Sequence, residues 1–399
     1  MSQTRAGYGE TRAPGGGRSI TALLTLAMTV SMLQVFVIGA LGPFLVAEAG
    51  VSRTLLGFTT TAGFGAAALL SLAAGGWVDR LGARRCLVAL LVVAALALTL
   101  IGLSAGSLAL LAAVAVGGLP MALANPATNK IIIAAVEPAR RGGVTGWKQS
   151  GVPLGAFVAG VPLAALAAWT DWRNALWAAA GLALLTAVWA VRALPSDHAP
   201  QAKPTQPSGQ ARTAGHIRWL AAFSLLLGAG TAAVNTYLAL FGTERLGLVP
   251  VVAAWLVALV GTAGVIGRVG WANLAGRRGH AENLLAPLTL VAAAGALLLA
   301  TAPWVSPLVW VGAAVVGSFA VPANAVTMLA VIQRSEPGRT GRDTAIASGG
   351  FFAGFAVGPP LFGLLVDQAG YSSGWLLVAA EFTVAAAIGL AAARRTASG

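Results

Sequence analysis

Along the chain, apolar runs of about twenty residues alternate with short polar connections. A helix of that length crosses a hydrocarbon core of roughly 30 Å. Twelve such runs are predicted, over 20–41, 55–74, 86–105, 108–132, 145–168, 173–192, 217–240, 250–271, 284–302, 305–330, 344–366 and 372–393. The expected fold is therefore all-α and integral to a membrane, with no soluble domain between the spans. The stretch "PSDHAPQAKPTQPSGQARTAG" at 195–215 is rich in Pro, Gln and Ser and cannot bury a core, so it reads as a flexible linker between six spans and six. The predicted organisation is an N-terminal tail over 1–19, a bundle over 20–192, a linker over 193–216, a second bundle over 217–393 and a tail over 394–399. The polar, glycine-rich, basic first residues carry no small-residue cleavage site and read as a tail rather than a signal peptide.

Composition agrees with this pattern. The 399 residues are 57% hydrophobic and 9% charged, with a mean hydropathy of +0.81, far outside the range of soluble domains. The net charge of +13 would suit a nucleic-acid partner, but the basic residues are segregated. Those around Arg5–Arg18, Arg80–Arg85, Arg140–Arg141, Arg192–Arg218, Arg268–Arg278, Arg334–Arg342 and Arg394–Arg395 share one side, against Arg53, Arg173 and Arg245 on the other. By the positive-inside rule both termini and the linker are cytoplasmic, as in a multi-pass protein of the inner (cytoplasmic) membrane, and no nucleic acid is expected. Cys86 is the lone cysteine, and His198, His216 and His280 all fall in connections. No metal cluster, cofactor site or catalytic grouping is expected, and the chain does not read as an enzyme.

An offset of 199 residues superimposes the halves: Gly118 on Gly317, Asn125 on Asn324, Glu137-Pro138 on Glu336-Pro337, Gly151 on Gly350 and Gly155 on Gly354. Such correspondence points to an internal duplication. The connection after span 2, "GGWVDRLGARR", resembles the loop motif of the major facilitator superfamily through Gly75, Asp79, Arg80, Gly82 and Arg84. Ala83 replaces one basic position of that motif, and Gly276 stands where the second copy would carry an aspartate. The resemblance implies two six-helix bundles that rock about a central site, with the motif as a conformational gate remote from that site. Within the family, "NPATNK", "GWKQSGVPLG" and "DWR" look most like the cyanate-permease-like branch. The glycines of "FAGFAVGPPLFG" are read as helix packing, and Asp171-Trp172-Arg173 as the anchor of a turn.

Side-chain amides are costly in hydrocarbon unless satisfied, so their positions indicate which faces point inward. Gln34, Asn125, Asn129, Gln149, Asn235 and Asn324 lie well inside the spans. Spans 1, 4, 7 and 10, which line the cavity in the resembled family, each carry at least one. Ser224, Gly228, Thr231 and Asn235 form one small-polar face, read as cavity wall, with Tyr237 nearby as a stacking group. Two cations sit among these amides, Lys130 and Lys148, each about 10 Å from the connection between spans 4 and 5. Snorkelling to the headgroups is the alternative for both.

Glu381, in span 12, is the carboxylate near mid-span and the place a coupled proton would use; structural hydrogen bonding is the other reading. Lysines and amides without a cavity carboxylate favour an anion. The reading is a monomeric transporter of a small carboxylate-like or inorganic anion, bound by Lys148, Lys130, Gln34, Asn125, Asn129, Gln149, Asn235, Tyr237 and Asn324. One alternative is proton-driven efflux of amphipathic or cationic compounds, which would have to recruit Glu381. Another, of a different class, is a non-transporting receptor or assembly factor on the same fold.

Overall fold

The computed structural model describes residues 16–195, 215–278, 281–335 and 340–397. Among them, twelve helices are long and apolar enough to cross a membrane, in the predicted order. Span 1 is Gly16–Ala40, followed by a short helix Gly42–Ala49. Spans 2 and 3 are Arg53–Leu81 and Ala83–Leu103. Span 4 breaks at Gly117 into Ser107–Val116 and Gly118–Ala135. Span 5 runs from Pro138–Val158 through a π-helical turn, Ala159–Leu163, to Ala164–Trp169; the turn holds Pro162, whose missing N–H perturbs the helical ladder. Span 6 is Trp172–Ala193, capped by Asp171, whose carboxylate accepts from the Arg173 N–H at 2.7 Å. The second half comprises Gly215–Leu246, Pro250–Arg278, Glu282–Thr301, Leu308–Arg334, Thr340–Ala369 and Tyr371–Ala397. The helices run further than the hydropathy pattern suggested, so Asp79, read as a loop residue, is helical; Arg268, counted with the basic connections, lies inside the predicted run 250–271 and is helical as well. Most of the linker and of the N-terminal tail lies outside the described residues.

The duplication is visible in packing. A Cβ on Gly118 would meet span 2 at Ala66 and Ala67, and one on Gly317 would meet span 8 at Val260 and Ala263. Gly151 lies against Thr25 of span 1, and its counterpart Gly350 against Ala221 of span 7. Gly155 and Gly354 repeat the pairing one turn on, against Phe36 and Leu225. Absent side chains let helix backbones approach, the main source of attraction where lipid is as apolar as leucine. Gly228 of the small-polar face in span 7 serves this purpose too, packed on the Phe351 main chain, so that face is in part a seam with span 11 rather than cavity wall.

The halves meet most closely at the face opposite the linker. There Arg53 of the first half bonds Glu244 (Nε–Oε2, 2.8 Å) and Asp367 (Nη1–Oδ1, 3.4 Å) of the second. Thr54 donates to Asp367 at 2.6 Å, Tyr371 to Glu244 at 2.7 Å and Tyr237 to the Arg53 carbonyl at 2.7 Å. One layer deeper, Thr60 and Thr236 share a hydrogen bond at 3.1 Å, and Phe64 packs on Phe355 with ring centroids 4.3 Å apart. Val35, Met121 and Ala232 complete this apolar plug. Toward the linker face, Gly65, Gly75, Gly76, Gly143, Gly146 and Gly349 border open space. The far face is closed by these contacts between the halves.

Candidate functional site

Below the plug, spans 4 and 5 bring one polar group together. Lys148 is completely buried, and its ammonium donates to Asn125 Oδ1 at 3.0 Å and Asn129 Oδ1 at 2.7 Å. Gln149 Nε2 reaches the same Asn125 oxygen at 3.3 Å. Asn125 and Asn129 are one turn apart, which is why one lysine touches both. Asn129 is exposed. An ammonium has three N–H donors, so one remains after the two amides are satisfied. Snorkelling does not describe this side chain, which is held by neutral oxygens inside the bundle.

Lys130 is placed differently. Its ammonium bonds Asp79 Oδ1 at 2.9 Å and the Val78 carbonyl at 3.1 Å, at the linker end of span 2. It therefore belongs with the loop motif rather than beside Lys148, and the motif is not remote from the amides, because Lys130 adjoins Asn129 in sequence. Gly82 has φ +98°, a conformation that favours glycine, and joins spans 2 and 3 without intervening residues. Arg80 lies in the last turn of span 2, where a cation suits the helix dipole. Arg84 donates to the Val191 carbonyl of span 6. These three bonds all stay in the first half.

Gln34 is buried between spans 1 and 4, donating weakly to the Val114 carbonyl at 3.4 Å and lying over Gly117, where a Cβ would strike it. Tyr237 is buried at the far face, stacked on Phe362, on the opposite side of the plug from Lys148. Asn235 is buried in span 7, with its main chain against Gly39. Asn324 has a buried Oδ1 without a partner, and Glu381 a buried Oε2 without one.

Two features escaped the sequence reading. Arg268, counted among the basic connections, is in span 8 with its Nη1 donating to the Gln149 carbonyl at 3.3 Å. Its position within the predicted run 250–271 was the available signal. The far-face network of Arg53, Glu244 and Asp367 was signalled by opposite charges on a face otherwise poor in charge.

The pairing at the motif carries a prediction. The Asp79–Lys130 pair is solvent-exposed, with side-chain accessibilities of 68% and 36%, so it is worth at most about 1 kcal/mol. Asp79→Asn and Lys130→Gln should each shift the balance between conformations by less than about fivefold, and the double variant no further than either alone. Substrate affinity of protein locked by a cross-link should be unchanged. A loss of affinity in locked Lys130→Gln would return Lys130 to the binding site.

No curated protein matches the chain by sequence. The solved structures it resembles are transporters. A mutant of the nucleoside transporter NupG has a TM-score of 0.75 at 16% identity, covering 94% of this chain and 99% of that one. A D-xylose–proton symporter has 0.77 at 16% identity, covering 94% and 97%. A bacterial homologue of the human lysosomal transporter Spinster, inward-facing and occupied, has 0.73 at 16% identity, covering 96% and 98%. At these identities the likeness speaks for the fold. Residues 24–335 match the Major Facilitator Superfamily itself, and the chain, a multi-pass membrane protein and a transporter rather than an enzyme, belongs to that family.

Proposed function

We propose that this transporter moves a small anion across the cytoplasmic membrane by alternating access, with both termini and the linker in the cytoplasm. The observation that carries the reading is Lys148: a fully buried ammonium held by two neutral amides, with no carboxylate in ion-pair distance among the described residues. Burying a cation costs several kcal/mol unless something compensates. Two amide oxygens compensate in part, and a bound anion supplies the rest. On this topology the closed far face is the external one. Cation efflux would need a carboxylate here, whereas Glu381 lies on span 12.

Thermal unfolding of the purified transporter should be shifted upward by small carboxylates or inorganic oxyanions and left in place by lipophilic cations of similar size. Stabilisation by the cations alone would replace this reading with the efflux one. Topology is checked separately by cysteines placed between Pro195 and Gly215 in a Cys86→Ala background. They should react with an impermeant maleimide only in opened cells, and labelling of intact cells would invert the topology.

A further inference from the structure

Each half contributes one cation inside the bundle, Lys148 fully buried and Arg268 half-buried with its Nε completely so. Arg268 lies seven residues after Gly261 on span 8, hence on the same helical face, and Gly261 packs against Pro153 and Ala156 of span 5. The guanidinium is therefore directed at the first half. What it meets there follows from the sequence: Pro153 has no N–H, so the carbonyl four residues earlier, that of Gln149, has no helical donor. Arg268 supplies the missing donor from across the interface, at 3.3 Å. That bond uses one of five N–H groups, and the Nε, completely buried, has no partner. Gln149 in turn shares Asn125 with Lys148, so both cations meet one residue, one through its main chain and the other through the amide it touches.

We infer that the cavity takes a divalent anion, one end held by Lys148 of the first half and the other by Arg268 of the second; this rests on the anion reading above. The described carboxylates of the ion pairs are spent elsewhere: Asp79 on Lys130, Glu244 and Asp367 on Arg53, Glu282 on Arg334. Neither Lys148 nor Arg268 has an ion-pair partner among the described residues, and Gln149 links the two. A monovalent anion neutralises one and leaves the other, while a dianion satisfies both and ties the halves together at the interface across which they must move. The guanidinium suits this role because its planar fork can keep the Gln149 carbonyl on one nitrogen while offering the others to a carboxylate or oxyanion.

The test compares matched pairs, succinate with butyrate and sulfate with nitrate, titrated into purified wild-type, Lys148→Gln, Arg268→Gln and Arg268→Lys protein at neutral pH, with affinity as the readout. Wild type should prefer the divalent member by roughly tenfold or more. Arg268→Gln should bring that ratio near one while monovalent affinity changes little, and Arg268→Lys should retain part of it. A purely structural role for Arg268, capping Gln149, would lower affinity for all four anions together and leave the ratio intact, which would overturn the inference. Should Arg268→Gln fail to fold, the wild-type ratio and Arg268→Lys decide. If wild type binds both classes equally and Lys148→Gln abolishes both, the dianion inference is wrong and the anion reading stands. If none of the four binds, both fall.

Discussion

Replacing Lys148 with glutamine is expected to weaken anion binding by roughly 30- to 100-fold, about 2–3 kcal/mol, with expression and monodispersity unchanged. A charge-assisted hydrogen bond to a ligand in a site of low dielectric is worth about that much, and a glutamine amide restores only a neutral donor. The fold should survive because the substitution removes a buried charge whose partners are neutral: Asn125 and Asn129 lose a donor but leave no ion unpaired. Lys148→Arg tests geometry rather than charge. The guanidinium is longer and its N–H groups are fixed in a planar fork, so it meets the two asparagine oxygens and the ligand in a different geometry from a rotating ammonium, and a partial defect is expected. Isothermal titration of the purified protein against succinate or sulfate measures all three. Wild-type affinity in Lys148→Gln would show that the buried ammonium is a structural brace between spans 4 and 5, and the anion assignment would lose its foundation.

The spans, their order and the duplication were legible in the sequence because they depend on patterns the chain carries locally. Apolar runs set the helices, and paired glycines such as Gly155 and Gly354 mark close approach whatever the partner. The contact between spans 4 and 5 was half legible: the amides and Lys148 stood out as costly residues in hydrocarbon, and the fold joins them. What spacing could not give was depth and rotation. Lys130 and Lys148 are equally distant from the connection between their spans, yet one turns toward Asp79 and the other into the bundle. Similarly, Tyr237 and Asn235 are neighbours on span 7, but the tyrosine serves the far-face closure through the Arg53 carbonyl. Arg268 was hidden by the same rule that gave the topology, since a basic residue near a helix end looks like an ordinary orientation signal. Its role arises from Pro153 in another helix, more than a hundred residues away.

The far-face closure should be as sensitive to a small added side chain as the site is to a charge, and Gly57→Val is the variant that shows it. Gly57 is on span 2 of the first half, and a Cβ built there lies 2.6 Å from the Tyr237 hydroxyl and 2.7 Å from the Pro359 carbonyl oxygen, both of the second half. Neither neighbour can yield cheaply: the carbonyl is backbone, and the tyrosine is fixed by its bond to Arg53 and its stacking on Phe362. Both obstacles belong to the opposite half, so the strain falls first on the closed interface. Overpacking of this kind costs about 1–3 kcal/mol, and the Arg53 bonds to Glu244 and Asp367, partly exposed, return little of it. A penalty of about 2 kcal/mol on one state shifts a two-state balance roughly thirtyfold toward the other, here the one open at the far face. A cysteine at Thr60, which is buried against Thr236 in the closed interface, reports the change. In detergent-solubilised Cys86→Ala protein its maleimide reaction should be at least tenfold faster with Gly57→Val than without it. An unchanged rate in a monodisperse variant would mean that the contact at Gly57 does not govern opening, and that the halves part along a different line from the one the Arg53 network marks.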